Sequence, residues 1–341
     1  MAATIHDIAK RSKVSLATVS RVINNAPHVS EKLKQKVETA IKELNYIPSA
    51  YARVLSKNQS NIIGVMIPEI TNPFFGEIIT GITEVADAEG FNVLLVNTDE
   101  NVEKEARSIR ILREYRIRGL ISTPVTGDNK YDRQYVNLFE NMNIPIVLMD
   151  RGIKNGDFDG IYFDDETALF KITSTLIENG HSDIVMLIGI PHHIVSQRRV
   201  RGYGDAFEAN NLSYDKKNLI PCEFSIDSAY SVIKKLIQDN DLPTAIIGMT
   251  NMLSMGCLKA LYEYGVSIPR NISFAGYDRL EIHDVLNMNL TLAEKDAVEM
   301  GRKAAALMID KLSGKSVPNK TILMPELFIR GSEKFPEKTL P

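Results

Sequence analysis

Two groups of residues in this chain have the types and spacing to do chemistry, and in both the chemistry is recognition. The first is Leu16, Ala17, Thr18, Ser20 and Arg21, with Lys10, Arg11 and Lys13 just before them. Arg can donate paired hydrogen bonds to a guanine edge, and Leu and Ala offer apolar contact to thymine methyls. The second group is scattered: Phe74-Phe75, Asp150-Arg151, Arg199, Asn251 and Asp278. Together they suit a polyhydroxylated molecule, whose ring faces stack on Phe while its hydroxyls bond Asp, Asn and Arg. Singly, each has a plainer role. A Phe pair opening a helix is usually core, an Asp can cap a helix, and an Arg can be a surface charge. Catalytic motifs are absent: there is no G-x-x-x-x-G-K-[ST] loop and no G-x-S-x-G elbow. The adjacent pair His192-His193 cannot share a helix face, so it reads as a solvated loop and no metal site is expected.

The first group needs a helix to present it. Thr4–Asn25 reads as two short helices around a tight turn, with apolar faces Ile5, Ile8, Ala9 and Val19, Val22, Ile23 at i, i+3, i+4 spacing. Ser15 is placed to cap the second helix. Helices this short are unstable alone, so they must pack on each other and on a third. Ser30 is placed to cap that third helix and Glu31 to complement its N-terminus, and the helix carries the stripe Leu33, Val37, Ile41, Leu44. The result is a helix-turn-helix with a helix sized for the major groove. A small helical hairpin for protein contacts is the blander alternative.

Pro48–Asn61 is a connector whose first half, Ser49–Leu55, could make one or two helical turns. From Asn61 apolar strand-like runs alternate with helical segments. The runs are Ile62–Ile67, Val93–Val96, Leu120–Ser122, Ile146–Met149, Ile161–Phe163, Ile184–Ile188, Ala245–Met249 and Ile272–Ala275. The helices fall near Gly76–Glu89, Glu103–Arg116, Asp132–Asn143, Asp165–Asn179, Arg199–Asn211, Ser228–Gln238, Leu253–Tyr264 and Ala297–Ser313. Such alternation means parallel sheets covered by helices, and the strands are too many for one ordinary sheet, so two lobes are expected. Ligands of such sheets collect beyond the carboxyl ends of the strands. Thr71–Phe75, Asp150-Arg151, Thr250-Asn251 and Gly276-Tyr277-Asp278 each follow a run directly, and Arg199 follows Ile184–Ile188 after a loop. The triplet Asp164-Asp165-Glu166 reads as a helix start favoured by the dipole.

Charge divides the chain the same way. Residues 1–60 hold ten Lys/Arg against four Asp/Glu, a net +6, so the remainder carries −9 of the chain's overall −3. A basic head on an acidic body fits a nucleic-acid-binding module joined to a solvated domain. With two cysteines in 341 residues, no apolar run of membrane-spanning length and a start that is no signal peptide, a cytoplasmic protein is expected.

The first stretch resembles the DNA-binding end of the LacI/GalR (lactose-repressor) family of bacterial transcription regulators. The family's TI-D-A, VS-ATVSRV-N and Y-P-A-AR-L patterns appear as Thr4, Ile5, Asp7, Ala9; Val14, Ser15, Ala17–Val22, Asn24; and Tyr46, Pro48, Ala50, Ala52, Arg53, Leu55. Lys13 stands in the turn where the family commonly has Gly or Asn, and would be left-handed there at a cost of about 1 kcal/mol. Later motifs extend the likeness: Arg199, Gly202 and Tyr203 fit R-x-x-G-[FY], and Gly276-Tyr277-Asp278 fits G-[FY]-D. Asp150-Arg151 is similar to the Asp-Arg of sugar-responsive members. Two departures are Asn251-Met252 for a frequent Asn-Asp, and Lys295 near a frequent glutamine; both would suit an effector with negative charge, or a degenerate site.

The resemblance implies an α/β chain with a three-helix helix-turn-helix head (1–47), a hinge helix and linker (48–61) and a two-lobed periplasmic-binding-protein type I fold (62–341). Lobe 1 would span about 62–163 plus 292–324 and lobe 2 about 164–291 plus 325–341, with crossings near Phe163, Thr291 and Met324. DNA contacts are implied for Thr4, Ser15, Leu16, Ala17, Thr18, Ser20, Arg21 and Asn24. In the hinge they are implied for Ala52, Arg53 and Leu55, the last as a wedge in the minor groove. Phe74, Phe75, Asp150, Arg151, Arg199, Asn251, Asp278 and Lys295 would hold the effector, and Arg199 and Asp278 would be replaceable without unfolding the protein.

The function expected is an operator-binding repressor, a homodimer or tetramer, switched by a sugar or sugar phosphate and needing no cofactor. A purine or phosphoprotein co-regulator is the alternative within this class. A sugar receptor without DNA function and an enzyme on the same scaffold are rivals of other classes; the +6 head argues against the first and the missing motifs against the second.

Overall fold

The computed structural model describes residues 3–23, 29–46, 60–125, 129–154, 156–316 and 320–336. They fall in two units, Met1–Ser60 and Asn61–Pro341.

The first unit holds helices α1 (Ile5–Ser12), α2 (Leu16–Ile23) and α3 (Glu31–Glu43). Thr4 and Asp7 form a capping box at the start of α1: the Asp7 N–H donates to Thr4 Oγ1 at 3.3 Å and the Thr4 N–H to Asp7 Oδ2 at 2.8 Å. Lys13 ends α1 in the left-handed region (φ 56°, ψ 43°), as the tight turn demands. Ser15 caps α2, its hydroxyl accepting the Thr18 N–H at 3.1 Å. Ser30 occupies the cap position of α3 but makes no side-chain cap bond. Ile8, Val19, Val22, Val37 and Ala40 are the buried core of the head. Arg11 Nε donates to Glu43 Oε2 at 2.7 Å and ties α1 to α3.

The second unit runs β1 (Ile62–Ile67), α4 (Pro73–Ala88), β2 (Asn92–Asn97), α5 (Val102–Glu114), β3 (Gly119–Ser122), α6 (Asn129–Glu140), β4 (Ile146–Met149) and β5 (Asp159–Phe163). It continues α7 (Asp165–Glu178), β6 (Ile184–Ile188), α8 (Ile194–Ala209), β7 (Leu219–Pro221), α9 (Ile226–Gln238), β8 (Ala245–Gly248) and α10 (Asn251–Glu263). Then come β9 (Ser273–Tyr277), α11 (Glu281–Val285), β10 (Thr291–Glu294), α12 (Ala297–Leu312), β11 (Lys320–Leu323) and β12 (Glu326–Phe328). The strands form two six-stranded sheets, ordered β11-β5-β4-β3-β1-β2 and β12-β10-β9-β8-β6-β7. The second lobe repeats the strand order of the first. All neighbours are parallel except β10 and β12.

Three sequence expectations change. The middle crossing, expected near Thr291, falls a few residues later, after Glu294, because Thr291–Ala293 pairs with β9 and Glu294 with β12, so the strand belongs to the second sheet. Helix α8 begins at Ile194, so Arg199 lies in its second turn and not at its start. Strands β7, β10, β11 and β12 escaped the apolar-run reading; β7 has three residues, and β11 and β12 carry exposed Lys320 and Glu326.

Glycines set the helix spacing. A Cβ on Gly202 would sit 2.1 Å from the Glu166 carbonyl oxygen, and one on Gly301 2.1 Å from that of Ile78. Hence α8 packs directly on α7, and α12, though late in the chain, packs on α4 of the first lobe. Tyr203, beside Gly202, is fully buried and donates its hydroxyl to the Ile184 carbonyl at 2.8 Å. Among the described residues no helix is long and apolar enough to cross a membrane.

Candidate functional site: a recognition helix and an inter-lobe cleft

In the head, the core stripe of α2 faces inward, so the opposite face is left to solvent. Leu16, Ala17 and Arg21 are exposed there, with Thr18 and Ser20 half-buried beside them. Thr4 and Ser15 are exposed too, but their hydroxyls already work as helix caps. Asn24, Ala52, Arg53 and Leu55 lie outside the described residues.

In the body, the carboxyl ends of both sheets meet. Phe74, Phe75, Asp150, Arg151, Arg199, Asn251, Asp278 and Lys295 all line one cavity of about 40 Å³ between the lobes. Glu69, Asn72, Glu100, Val195, Phe224 and Thr250 complete it.

Asp150 and Asp278 hold equivalent places in the two sheets. Asp150 follows β4 at φ 62°, its N–H bonded to the Ile161 carbonyl of β5 at 3.0 Å; Asp278 follows β9 at φ 72°, its N–H bonded to the Ala293 carbonyl of β10 at 2.9 Å. Neither caps a helix, and a left-handed backbone at a non-glycine marks a position the surroundings hold in place. Among the described residues Asp150 Oδ1 is buried with no hydrogen-bond partner, while its Oδ2 lies 3.8 Å from Arg151 Nε. Asp278 Oδ1 lies 3.0 Å from Lys295 Nζ. Burial pushes the Asp278 carboxyl above its ordinary value against the pull of Lys295 and Arg199.

Arg199 is a structural tie. Its Nε and Nη2 donate to Asp165 Oδ1 at 3.0 and 2.9 Å, and its Nη1 to the Met249 carbonyl at 2.8 Å. The Tyr277 hydroxyl donates to the same Asp165 oxygen at 2.8 Å, and its ring centre is 4.4 Å from the guanidinium. Burial opposes the cation, but Asp165 outweighs it and raises the Arg199 pKa. These bonds count against the expectation that Arg199 is replaceable without unfolding the protein: a buried charge cannot lose its partner cheaply.

Arg151 forms a two-pronged pair with Glu100, Nη1 to Oε2 at 2.8 Å and Nη2 to Oε1 at 2.7 Å. Burial alone would raise the Glu100 carboxyl, yet Arg151 holds it below its usual range. Asn251 Nδ2 donates across the cleft to Asn72 Oδ1 at 2.8 Å, so first and second lobes touch directly. Phe74 and Phe75 are at once core of the first lobe and wall of the cavity.

His193 is buried, against the expectation of a solvated loop, and its ring centre is 5.6 Å from that of Phe224. Burial, and then Arg151, lower its pKa to about 4, so it is neutral at pH 7. Among the described residues no group of three or more His, Cys, Asp and Glu could hold a metal ion.

Sequence reasoning missed Asp165, Glu100 and Phe224 as partners in this site, and it placed Asn72 and Tyr277 at the strand ends without giving them a role. Asp165 stood in an acidic triplet read as a helix start. Asp164 does that work, accepting the Thr167 N–H at 3.0 Å, while Asp165 is 1% exposed. A buried Arg199 demands a carboxylate, and that demand is the signal that could have found it. Glu100 lies 51 residues before Arg151 and carries no local signal.

Comparison with known proteins follows the same division. Residues 4–49 match the model of bacterial regulatory proteins, lacI family, and residues 60–331 that of periplasmic binding proteins and sugar binding domain of LacI family. The chain is 31% identical over 333 residues to the HTH-type transcriptional repressor PurR of Aliivibrio fischeri (strain MJ11), covering 97% of this chain and 98% of that protein. The PurR of Vibrio vulnificus (strain CMCP6) is 32% identical over 333 residues, covering 97% and 99%. The crystal structure of the lac repressor dimer bound to operator and the anti-inducer ONPF matches with a TM-score of 0.86 at 26% identity, covering 98% of this chain and all of that one.

Proposed function

Because this chain belongs to the lacI family of bacterial regulatory proteins, whose members are DNA-binding transcription regulators with an effector domain, we propose the following reading. The protein is a repressor, acts in the cytoplasm, and binds a near-palindromic operator as a homodimer. A small, neutral, hydroxyl-rich metabolite bound between the lobes switches it. The observation that carries the reading is the solvent face of α2, where Arg21 stands with Leu16 and Ala17 in an N-terminal stretch, residues 1–60, of net charge +6.

A neutral effector is favoured over a sugar phosphate by the charges of the cleft. Arg199 is opposite Asp165, Arg151 opposite Glu100 and Lys295 opposite Asp278, while Asp150 and Glu69 add further carboxylates. A phosphate would have to break one of these pairs and face the carboxylates left behind. The free oxygen of Asp150 instead seeks a donor such as a hydroxyl.

The test has two arms. Duplexes selected by the protein from a random pool should share a near-palindrome, and a single asymmetric half-site would sink the dimer reading. A thermal-shift screen with sugars, sugar phosphates and purines should then find the effector, which at about a hundred times its dissociation constant adds about 2.7 kcal/mol of stability. Asp150→Asn should melt like the wild type yet bind that effector at least tenfold more weakly, since a charged hydrogen bond contributes about 1.5–3 kcal/mol. A hit carrying phosphate would reject the neutral-effector reading.

The hinge reading adds one prediction. Leu55 is a leucine amid a polar linker, in the position that wedges a base step in the family resemblance. Leu55→Ala is expected to reduce DNA bending and operator affinity while leaving effector affinity unchanged. Circular-permutation gel shifts read the bend; an unchanged bend returns the segment to a plain connector.

A further inference from the structure

We propose that Lys295 is a tethered cation that holds the two lobes together, its ammonium filling a cage of aromatic rings and one carboxylate drawn from both lobes. The inference rests on the reading of this cleft as the effector site, because it states what an effector must displace there.

The geometry is specific. Lys295 follows β10, at the middle crossing between lobes, and its side chain is only 3% exposed. Its Nζ stands 3.9 Å from the ring centre of Phe74 and 5.2 Å from that of Phe163, both in the first lobe. It stands 5.0 Å from the ring centre of Tyr277 and 3.0 Å from Asp278 Oδ1, both at the end of β9 in the second lobe. A cation within about 6 Å of a ring face is held by the ring quadrupole, most strongly when water is excluded. Parting the lobes would strip the ammonium of rings from one side while leaving it paired to Asp278. Opening therefore works against this one side chain.

The same lysine controls access. The cavity of about 40 Å³ is far below the roughly 300–1,000 Å³ of small-molecule sites. A metabolite can reach the face of Phe74 only when the ammonium leaves it. Lys295 can leave: its flexible four-carbon stem swings, whereas Arg199 and Arg151 are pinned by several bonds each. The effector and Lys295 thus compete for one surface.

Spin labels at Ile70 and Glu281, exposed positions of the first and second lobes, give the inter-lobe distance in the full chain. Lys295→Ala should lengthen and broaden that distance, and n-propylammonium chloride, but not sodium chloride, should restore it by refilling the cage. Lys295→Met keeps the bulk of the side chain without its charge. It should open the lobes as well, and no amine should rescue it because its own methyl group blocks the cage. A wild-type distance in either variant overturns the proposal, as does failure of the amine to restore Lys295→Ala. Restoration of the Lys295→Ala distance by the amine but not by sodium chloride shows that the readout is closure and not unfolding. Failure of the effector reading would appear elsewhere, as a screen with no stabilising metabolite, and leaves the label distances interpretable.

Discussion

Arg199→Ala is expected to destabilise the two-lobed body by about 3–5 kcal/mol, the usual cost of removing one partner from a buried ion pair. Asp165, 1% exposed, would keep only the Tyr277 hydroxyl as donor, and the Met249 carbonyl would lose its guanidinium bond. Denaturant unfolding followed by a probe of the body measures the change. Arg201→Ala is the control. Arg201 pairs with Glu166 at 2.9 Å, but the side chains are 61% and 39% exposed, and such surface pairs contribute about 0–1 kcal/mol. The double change Arg199→Met with Asp165→Leu should recover most of the loss, because an apolar pair of similar volume avoids the desolvation of both charges. An Arg199→Ala protein within about 1 kcal/mol of wild type would mean that Asp165 finds solvent or a proton easily, and the tie would be no tie. The consequence for function is practical. A lost effector response in Arg199→Ala would report a weakened fold, whereas Asp150→Asn keeps the shape of the side chain and leaves the Arg199–Asp165 pair in place.

Operator affinity is expected to fall by about 10³–10⁵-fold between about 50 and 200 mM salt, the loss found when 6–10 phosphate contacts release counterions. Two heads carry enough positive charge for that number: Lys10, Lys13, Lys32, Lys34 and Lys36 are among the eight basic residues of each. Arg21→Ala should cost about 1–3 kcal/mol and relax the sequence preference at one base pair per half-site. Arg11→Ala should weaken all sequences alike and by less, since Arg11 is already engaged with Glu43. Filter-binding titrations across salt concentrations measure both. A flat salt dependence would remove phosphate contact from the account, and equal losses on all sequences for Arg21→Ala would remove base reading from that residue.

The local rules carried the head. Ile8, Val19, Val22 and Val37 are its core because their spacing puts them on facing helical stripes, and Ser15 caps α2 because its hydroxyl has an orphan N–H within reach. Lys13 is left-handed because a turn that short leaves the chain no other course. Ser30 shows the limit of such rules: the residue type was right for a cap, yet its hydroxyl makes no cap bond. In the body, apolar runs located the central strands, where burial on both faces leaves continuous Ile, Val and Leu. The edge strands β7, β11 and β12 have a side open to water and so lack that mark.

The site divides along the same line. That Phe75, Asp150, Asn251 and Asp278 would meet followed from their places at the carboxyl ends of parallel strands, a topological rule readable from order alone. Which charge would face which did not. Arg199 meets Asp165 across 34 residues, Arg151 meets Glu100 across 51, and Asn251 meets Asn72 across 179. The cost of an unpaired charge exists only once water has been excluded, and only the packed lobes exclude it. By itself the sequence determined a basic helix-turn-helix, a doubled parallel α/β body and the strand ends from which a cleft is built. The tertiary structure alone decided that Arg199 ties the body together, that Asp150 is left with a free oxygen, and that Lys295 reaches rings of both lobes. Periodicity is a property of neighbours in the chain, whereas desolvation and charge pairing belong to neighbours in space.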